Sequence, residues 1–109
     1  MTAPEEVLLV LTNAPDRDMA MKLAHALMES RFAACVNVLP GATSVYRWQG
    51  KVESADEIPL LIKTTRARYA ALEAEIRRLH PYELPEIVAV PLTLGLPAYL
   101  KWVADETIT

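Results

Sequence analysis

The hydrophobic pattern changes period along the chain, and those changes mark its elements. Val7 to Leu11 is an unbroken apolar run. It is too short for a helix and predicts a central strand covered on both faces. Beyond Asn13-Ala14-Pro15, Asp16 is a good N-cap, and Met19, Leu23 and Leu27 recur at four-residue spacing with Ala20 and Ala24 beside them. That spacing predicts an amphipathic helix over Arg17 to Ser30. From Ala33 to Thr65 the chain reads as one long β-hairpin, because Val, Tyr, Trp and Thr pack well on a pleated surface. Gln49-Gly50 supplies the turn, with Gly50 free to take positive φ. Tyr46 and Trp48 share a face with Ser44, while Val45 and Arg47 point the other way. Pro40-Gly41 predicts a bulge or bend in the first arm, and Pro59, which cannot donate to a ladder, an edge or irregularity in the second.

Thr65 is expected to cap a second helix with the stripe Tyr69, Leu72, Ile76 and Leu79, and Glu73 and Arg77 form an i,i+4 pair on its wet face. Pro81 stops that helix. His80-Pro81-Tyr82-Glu83-Leu84-Pro85-Glu86 is then a stiff polar loop. Ile87 to Val90 predicts a fourth buried strand, extended by Pro91 to Leu94 as a short edge. Pro97 opens a terminal helix at its N1 position, with Tyr99, Trp102 and Val103 on one side. Asp105 to Thr109 is expected to fray. The order is βαββαβ with an appended helix, an α+β fold in which an antiparallel four-stranded sheet carries both main helices on one face. The other face needs a cover, either the terminal helix or partner subunits. Hairpin arms of roughly fifteen residues, against the usual five or six, overhang a small domain and offer unpaired backbone to another chain. The pattern therefore predicts an oligomer.

Composition narrows the setting. A chain of 109 residues makes one domain, residues 1–109, and an apolar share of 52% excludes disorder. The net charge is −3, and the eleven Lys and Arg are scattered. Nucleic acid, whose phosphates need a concentrated positive face, is not an expected partner. No apolar run approaches the ~20 residues that cross a bilayer, so no membrane is expected either. Met1 to Glu6 has no basic n-region, and the single cysteine fits a reducing compartment; a cytoplasmic location is the expectation.

Four groups of residues stand out as chemistry. His80 with Glu83 and Glu86, on a proline-stiffened loop, can bind a metal or exchange protons; more simply it reads as a loop whose histidine suits a helix C-terminus. Tyr46, Trp48, Tyr82, Tyr99 and Trp102 either line a ligand pocket or anchor a subunit interface. Cys35 is a buried small hydrophobe, or a soft-metal or redox thiol if a second ligand stands nearby. Lys63, with Thr64-Thr65 at a strand-to-helix junction, can hold a small anion at the helix N-terminus, or is simply solvated. No phosphate loop, paired Cys-x-x-Cys, HExxH or nucleophile with an evident base is present. The chain is therefore not expected to be an enzyme, and no organic cofactor is expected.

Blocks of this sequence resemble the CutA divalent-cation tolerance proteins. They are Ala33 to Val38 (Ala-Ala-Cys-Val-Asn-Val), Pro40 to Lys51, Ile62 to Thr65, His80 to Ile87, and Tyr99 to Trp102, in the family's order and spacing from about Val7 to Val103. The resemblance implies a ferredoxin-like fold, a homotrimer whose long hairpins extend sheets between subunits much as in the PII signalling trimers, and a link to tolerance of copper and other divalent metals. It also places Tyr46, Trp48, Lys63, His80, Tyr82, Glu83, Glu86 and Trp102 around an intersubunit cleft, with Cys35 in the Ala-Cys-Val-Asn block. Where enterobacterial members have a cysteine and two successive histidines as proposed copper ligands, this chain has Thr12 and Leu79-His80. The expectation is a non-enzymatic trimer that binds Cu(II) or another divalent metal weakly through His80, Glu83 and Cys35. The alternative is a PII-like sensor whose cleft, lined by Tyr46, Trp48, Lys63, Tyr82, Glu86 and Trp102, takes a small anionic ligand.

Overall fold

The computed structural model describes residues 5–108; the first residues of the N-terminal stretch read above, and Thr109, lie outside them. In chain order the elements are β1 (Val7–Ala14), α1 (Arg17–Glu29), β2 (Cys35–Val38), β3 (Ala42–Trp48), β4 (Lys51–Thr65), α2 (Arg66–Leu79), β5 (Ile87–Pro91) and α3 (Pro97–Glu106). The sheet runs β2-β4-β1-β5, with β3 also paired to β4, and every pairing is antiparallel. The result is an α+β fold of one antiparallel sheet and three helices.

Two proline signals have the expected consequence. Val38 faces Leu60 and Ala42 faces Glu57, so the first arm spends one residue more than β4 across Leu39-Pro40-Gly41. That is a β-bulge. Leu39 N–H donates to the Pro59 carbonyl (3.0 Å), so Pro59 turns the edge that lacks an N–H toward this bulge. A 15-residue central strand thereby tolerates a proline. At the far end Gln49 (φ 51°) and Gly50 (φ 81°) both take positive φ, the tight hairpin turn whose twist suits the flanking strands. The arms reach past the body, and the described chain measures 52 Å along its long dimension against 25 and 23 Å across.

Helices α1 and α2 cover one sheet face. Val10 and Ala14 of β1 and Leu60 and Ile62 of β4 meet Leu23, Leu27, Leu72 and Ile76 in the main core, all essentially without solvent exposure. Each such side chain contributes roughly 1.5–3 kcal/mol by leaving water. Asp16 caps α1 as its position suggests, accepting from Met19 N–H at 2.8 Å. Helix α2 differs: Thr65 occupies the N-cap position but its side chain makes no cap bond. Glu5 takes over, its carboxylate accepting from Ala67 N–H (3.1 Å), while the Glu6 carbonyl accepts from Arg66 N–H (2.9 Å). The helix N-terminus beside Lys63 is thus already occupied by an anion from this chain.

Other expectations need correction. Glu73 does not pair with Arg77; it accepts from the Tyr69 hydroxyl at 2.9 Å, and the ion pair on α2 is Arg78–Glu75. Strand β5 is not a buried central strand but an edge strand beside β1, with Val88 50% and Val90 48% exposed. It ends at Pro91, where Leu92 N–H donates to the Val7 carbonyl, and residues 92–96 form no strand. Asp105 and Glu106 stay helical, and Thr107 is buried with its hydroxyl donating to the Val103 or Ala104 carbonyl, so the chain does not fray there.

The second sheet face is covered only at one end. There Val103 of α3 packs with Val7 and Ala34, flanked by Leu92 and Leu100. Register puts Leu9 opposite Val90 and Lys63, and Leu11 opposite Val88 and Leu61, all on this face because paired residues point the same way.

Candidate functional site

The register of the hairpin assembles the site. Ser44 pairs with Ala55, Tyr46 with Glu53 and Trp48 with Lys51, while Ala42 pairs with Glu57. Alternation then places Ser44, Tyr46, Trp48, Glu53 and Glu57 on one face of the twisted arm. The loop after α2 swings against that face, and the space between them is a cleft of about 610 Å³. From the loop come Tyr82, Glu83, Leu84 and Glu86, and from the end of β1 comes Asn13.

One bond closes the back of the cleft. The Tyr82 hydroxyl donates to Glu57 Oε2 at 3.0 Å, and Glu57 is only 9% exposed. Burial first, then the Glu57 carboxylate and its hydrogen bond, push the Tyr82 hydroxyl up to about 12 from the usual 10. Between these values the folded state keeps a proton that the unfolded chain gives up. Stability attributable to Tyr82 is therefore complete below pH 10 and is lost as pH rises towards 12. Tyr82 is partly exposed, so solvent screening leaves no more than about 1–2 kcal/mol of that difference. An ultraviolet titration is expected to show one tyrosine ionising near pH 12, and Glu57→Gln is expected to bring that step down towards 10. An unmoved step would mean that Glu57 is not its cause.

His80 holds the loop in place. It is 7% exposed; its Nε2–H donates to the Asn13 carbonyl at 2.6 Å, and its Nδ1 accepts from Tyr82 N–H at 3.2 Å. A carbonyl only accepts and a backbone N–H only donates, so the proton sits on Nε2 and the Nδ1 lone pair is used. Its ring also packs against Tyr82, with centroids 4.6 Å apart. A metal-ligating imidazole keeps one lone pair for the ion and donates its other nitrogen's proton. His80 has no such lone pair left, so the metal role assigned to it gives way to that of a clamp between β1 and the cleft loop.

The residues singled out from sequence thus divide in two. Tyr46, Trp48, Tyr82, Glu83 and Glu86 meet in the cleft. Cys35, Lys63 and Trp102 do not line it. Cys35 faces Lys63 across β2 and β4, and the Lys63 ammonium donates to the Asn37 side-chain carbonyl. Tyr99 is held above its ordinary range by burial and by the neighbouring Cys35, and it stacks on Trp102 at 5.5 Å. The set His80, Glu83 and Cys35 does not converge, and among the described residues no three His, Cys, Asp or Glu side chains come close enough to hold an ion. A single chain therefore does not present a ready inner-sphere metal cage. Thr12 and Leu79, at the positions of the enterobacterial ligands, turn into the core instead.

Sequence reasoning passed over Glu53 and Glu57, which lie in the polar run Glu53-Ser54-Ala55-Asp56-Glu57 and look like a solvated arm. Counting back from the Gln49-Gly50 turn would have placed both opposite the aromatic arm. With them the cleft carries four carboxylates, Glu53, Glu57, Glu83 and Glu86, and among the described residues no Lys, Arg or His side chain lines it.

The model of the CutA1 divalent ion tolerance protein family matches residues 8–106. The chain belongs to this family. The divalent-cation tolerance protein CutA of Thermus thermophilus is 47% identical over 103 residues, covering 94% of this chain and 98% of that one. Among solved structures, CutA from Xylella fastidiosa superposes with a TM-score of 0.91 at 46% identity, covering 94% of this chain and 98% of that one. CutA1 from Oryza sativa gives 0.93 at 34% identity, covering 98% of each. The family's antiparallel sheet and three helices are those described above.

Proposed function

We propose that this CutA-family chain acts in divalent-cation tolerance as a non-enzymatic, ferredoxin-like homotrimer whose acidic cleft takes divalent cations weakly. The observation that carries this reading is the cleft's charge: four carboxylates line it and, among the described residues of this chain, no basic side chain does. Carboxylate oxygens suit hard cations, and a hydrated ion held by one or two of them is bound loosely. The remaining wall is aromatic rings, Asn13, Ser44, Val45 and Leu84, which is a binding surface. Trimerisation is supported by the half-covered sheet face and the overhanging hairpin. Calorimetric titration with Zn²⁺ and Cu²⁺ tests the reading. The expected result is saturable, weak binding near one ion per chain, reduced at least fivefold in the Glu83→Gln/Glu86→Gln double variant and not by Cys35→Ala. Binding that survives the double variant would remove the cleft from the metal role.

A second reading, a PII-like sensor of a small molecule, is favoured by the size of the cleft. About 610 Å³ with walls from Tyr46, Trp48 and Tyr82 is room for an organic ligand and far more than an ion fills.

A further inference from the structure

We propose that the preferred ligand of this cleft is a linear alkyl diammonium ion, a flexible dication with an apolar middle. This names the ligand class of the same acidic site and rests on the cleft being a cation site; it does not rest on metal binding there. Three observations lead to it.

The first is how the charge is distributed. Glu53 lies on the hairpin arm, Glu57 at its buried root, and Glu83 and Glu86 on the facing loop. Among the described residues no three acidic side chains converge. A single metal ion needs its ligands at one point, whereas separated carboxylates match a ligand whose two charges are themselves separated.

The second is Glu57. It is nine-tenths buried, yet its only side-chain partner among the described residues is a neutral hydroxyl, that of Tyr82 on Oε2. A buried carboxylate is normally paired with a cation or saturated with donors, because desolvation without compensation is costly. Here Oε1 makes no bond to another described residue and is not sealed from solvent, so it is open to the cleft that the side chain lines, and an ammonium with three donors can take that position.

The third is the wall between the carboxylates. Tyr46, Trp48 and Tyr82 offer aromatic surface in the cleft, with Val45 and Leu84 beside them. A hydrated metal ion gains little from such a wall. Methylene groups gain by burial, and an ammonium gains further over an indole or phenol ring. Glu53 and Glu57 lie four residues apart on the same face of β4, about 13 Å along the strand, with Tyr46 directly across from Glu53 and Trp48 one step beyond, so a short dication can bridge the two carboxylates beside the rings.

The test uses the full-length protein in its native assembly, titrated by calorimetry with 1,4-diaminobutane, with n-butylamine and with Zn²⁺, while Trp48 emission is followed in a Trp102→Phe background. The expected result is saturable binding of the diamine, at least tenfold tighter than the monoamine, with a change in Trp48 emission and weakening as salt is raised. Glu57→Gln keeps an acceptor for the Tyr82 hydroxyl and so preserves the fold, which a melting curve checks. It is expected to weaken the diamine at least tenfold, and the exposed Glu83→Gln to weaken it less. Diamine binding no tighter than that of n-butylamine, or unaltered by Glu57→Gln, overturns the proposal. Zn²⁺ bound without the diamine also overturns it and leaves the metal reading intact. The diamine bound without Zn²⁺ supports it and removes the metal reading.

Discussion

His80→Ala is expected to destabilise the fold by about 2–4 kcal/mol and to widen the cleft, while leaving no trace of a lost metal ligand. The ring is almost fully buried and joins two backbone groups from distant parts of the chain, the Asn13 carbonyl and Tyr82 N–H. Each hydrogen bond is worth roughly 1 kcal/mol net, and each backbone group left buried without a partner costs about 1–3 kcal/mol. The ring also fills space against Tyr82 that alanine would leave empty. Thermal or denaturant unfolding measures the loss. His80→Gln, which supplies an amide donor and acceptor, is expected to recover part of it. Because the same ring positions Tyr82, the tyrosine step near pH 12 should move towards 10 in His80→Ala as the Tyr82–Glu57 bond loosens. Full stability combined with loss of Zn²⁺ binding would reverse this account and make the imidazole a ligand.

That result would also say why the site was only partly legible in the sequence. The tyrosines, the tryptophan and the loop glutamates were visible because unusual residue types stood at predicted segment ends. The role of His80 was not, since a histidine before Pro81 looks the same whether it is free for chemistry or locked between Asn13 and Tyr82. Burial decides the matter, and burial here is set by β1, more than sixty residues away in sequence. Glu5 capping α2 is hidden for the same reason: Thr65 is the right residue in the right place, but a carboxylate from the other end of the chain reaches Ala67 first. By contrast, elements set by local period or turn chemistry were readable nearly to the residue. Helix α1 runs Arg17–Glu29, the turn falls on Gln49-Gly50, and the bulge is at Pro40-Gly41. Lys63 is grouped with the cleft by family resemblance alone, and Trp102 by its residue type as well as by resemblance. In one chain they stand on the other side of the bulge, with Cys35, Asn37 and Tyr99.

A charge on the half-covered sheet face is expected to have the largest effect on assembly. In a single chain Val88 is half exposed on the edge strand β5, beside Leu11, which in turn faces Leu61. Val88→Glu therefore costs an isolated chain little, since charged residues are common on edge strands. If this face is buried between copies, the same substitution drives one carboxylate per subunit into an apolar contact without a partner, at several kcal/mol each. Light scattering is then expected to fall to about 12.1 kDa, the mass of one chain, with a melting temperature that becomes independent of concentration. Val88→Thr, which keeps the shape and the strand propensity, should stay assembled. Val88 does not line the cleft, which is built from the hairpin, the end of β1 and the loop after α2. Comparing ligand binding by the Val88→Glu chain with that of the assembly therefore shows whether the site is complete in one subunit. Undiminished affinity in the separated chain would make the trimer a scaffold, and loss of affinity with the hairpin still folded would mean that a neighbouring copy supplies part of the wall.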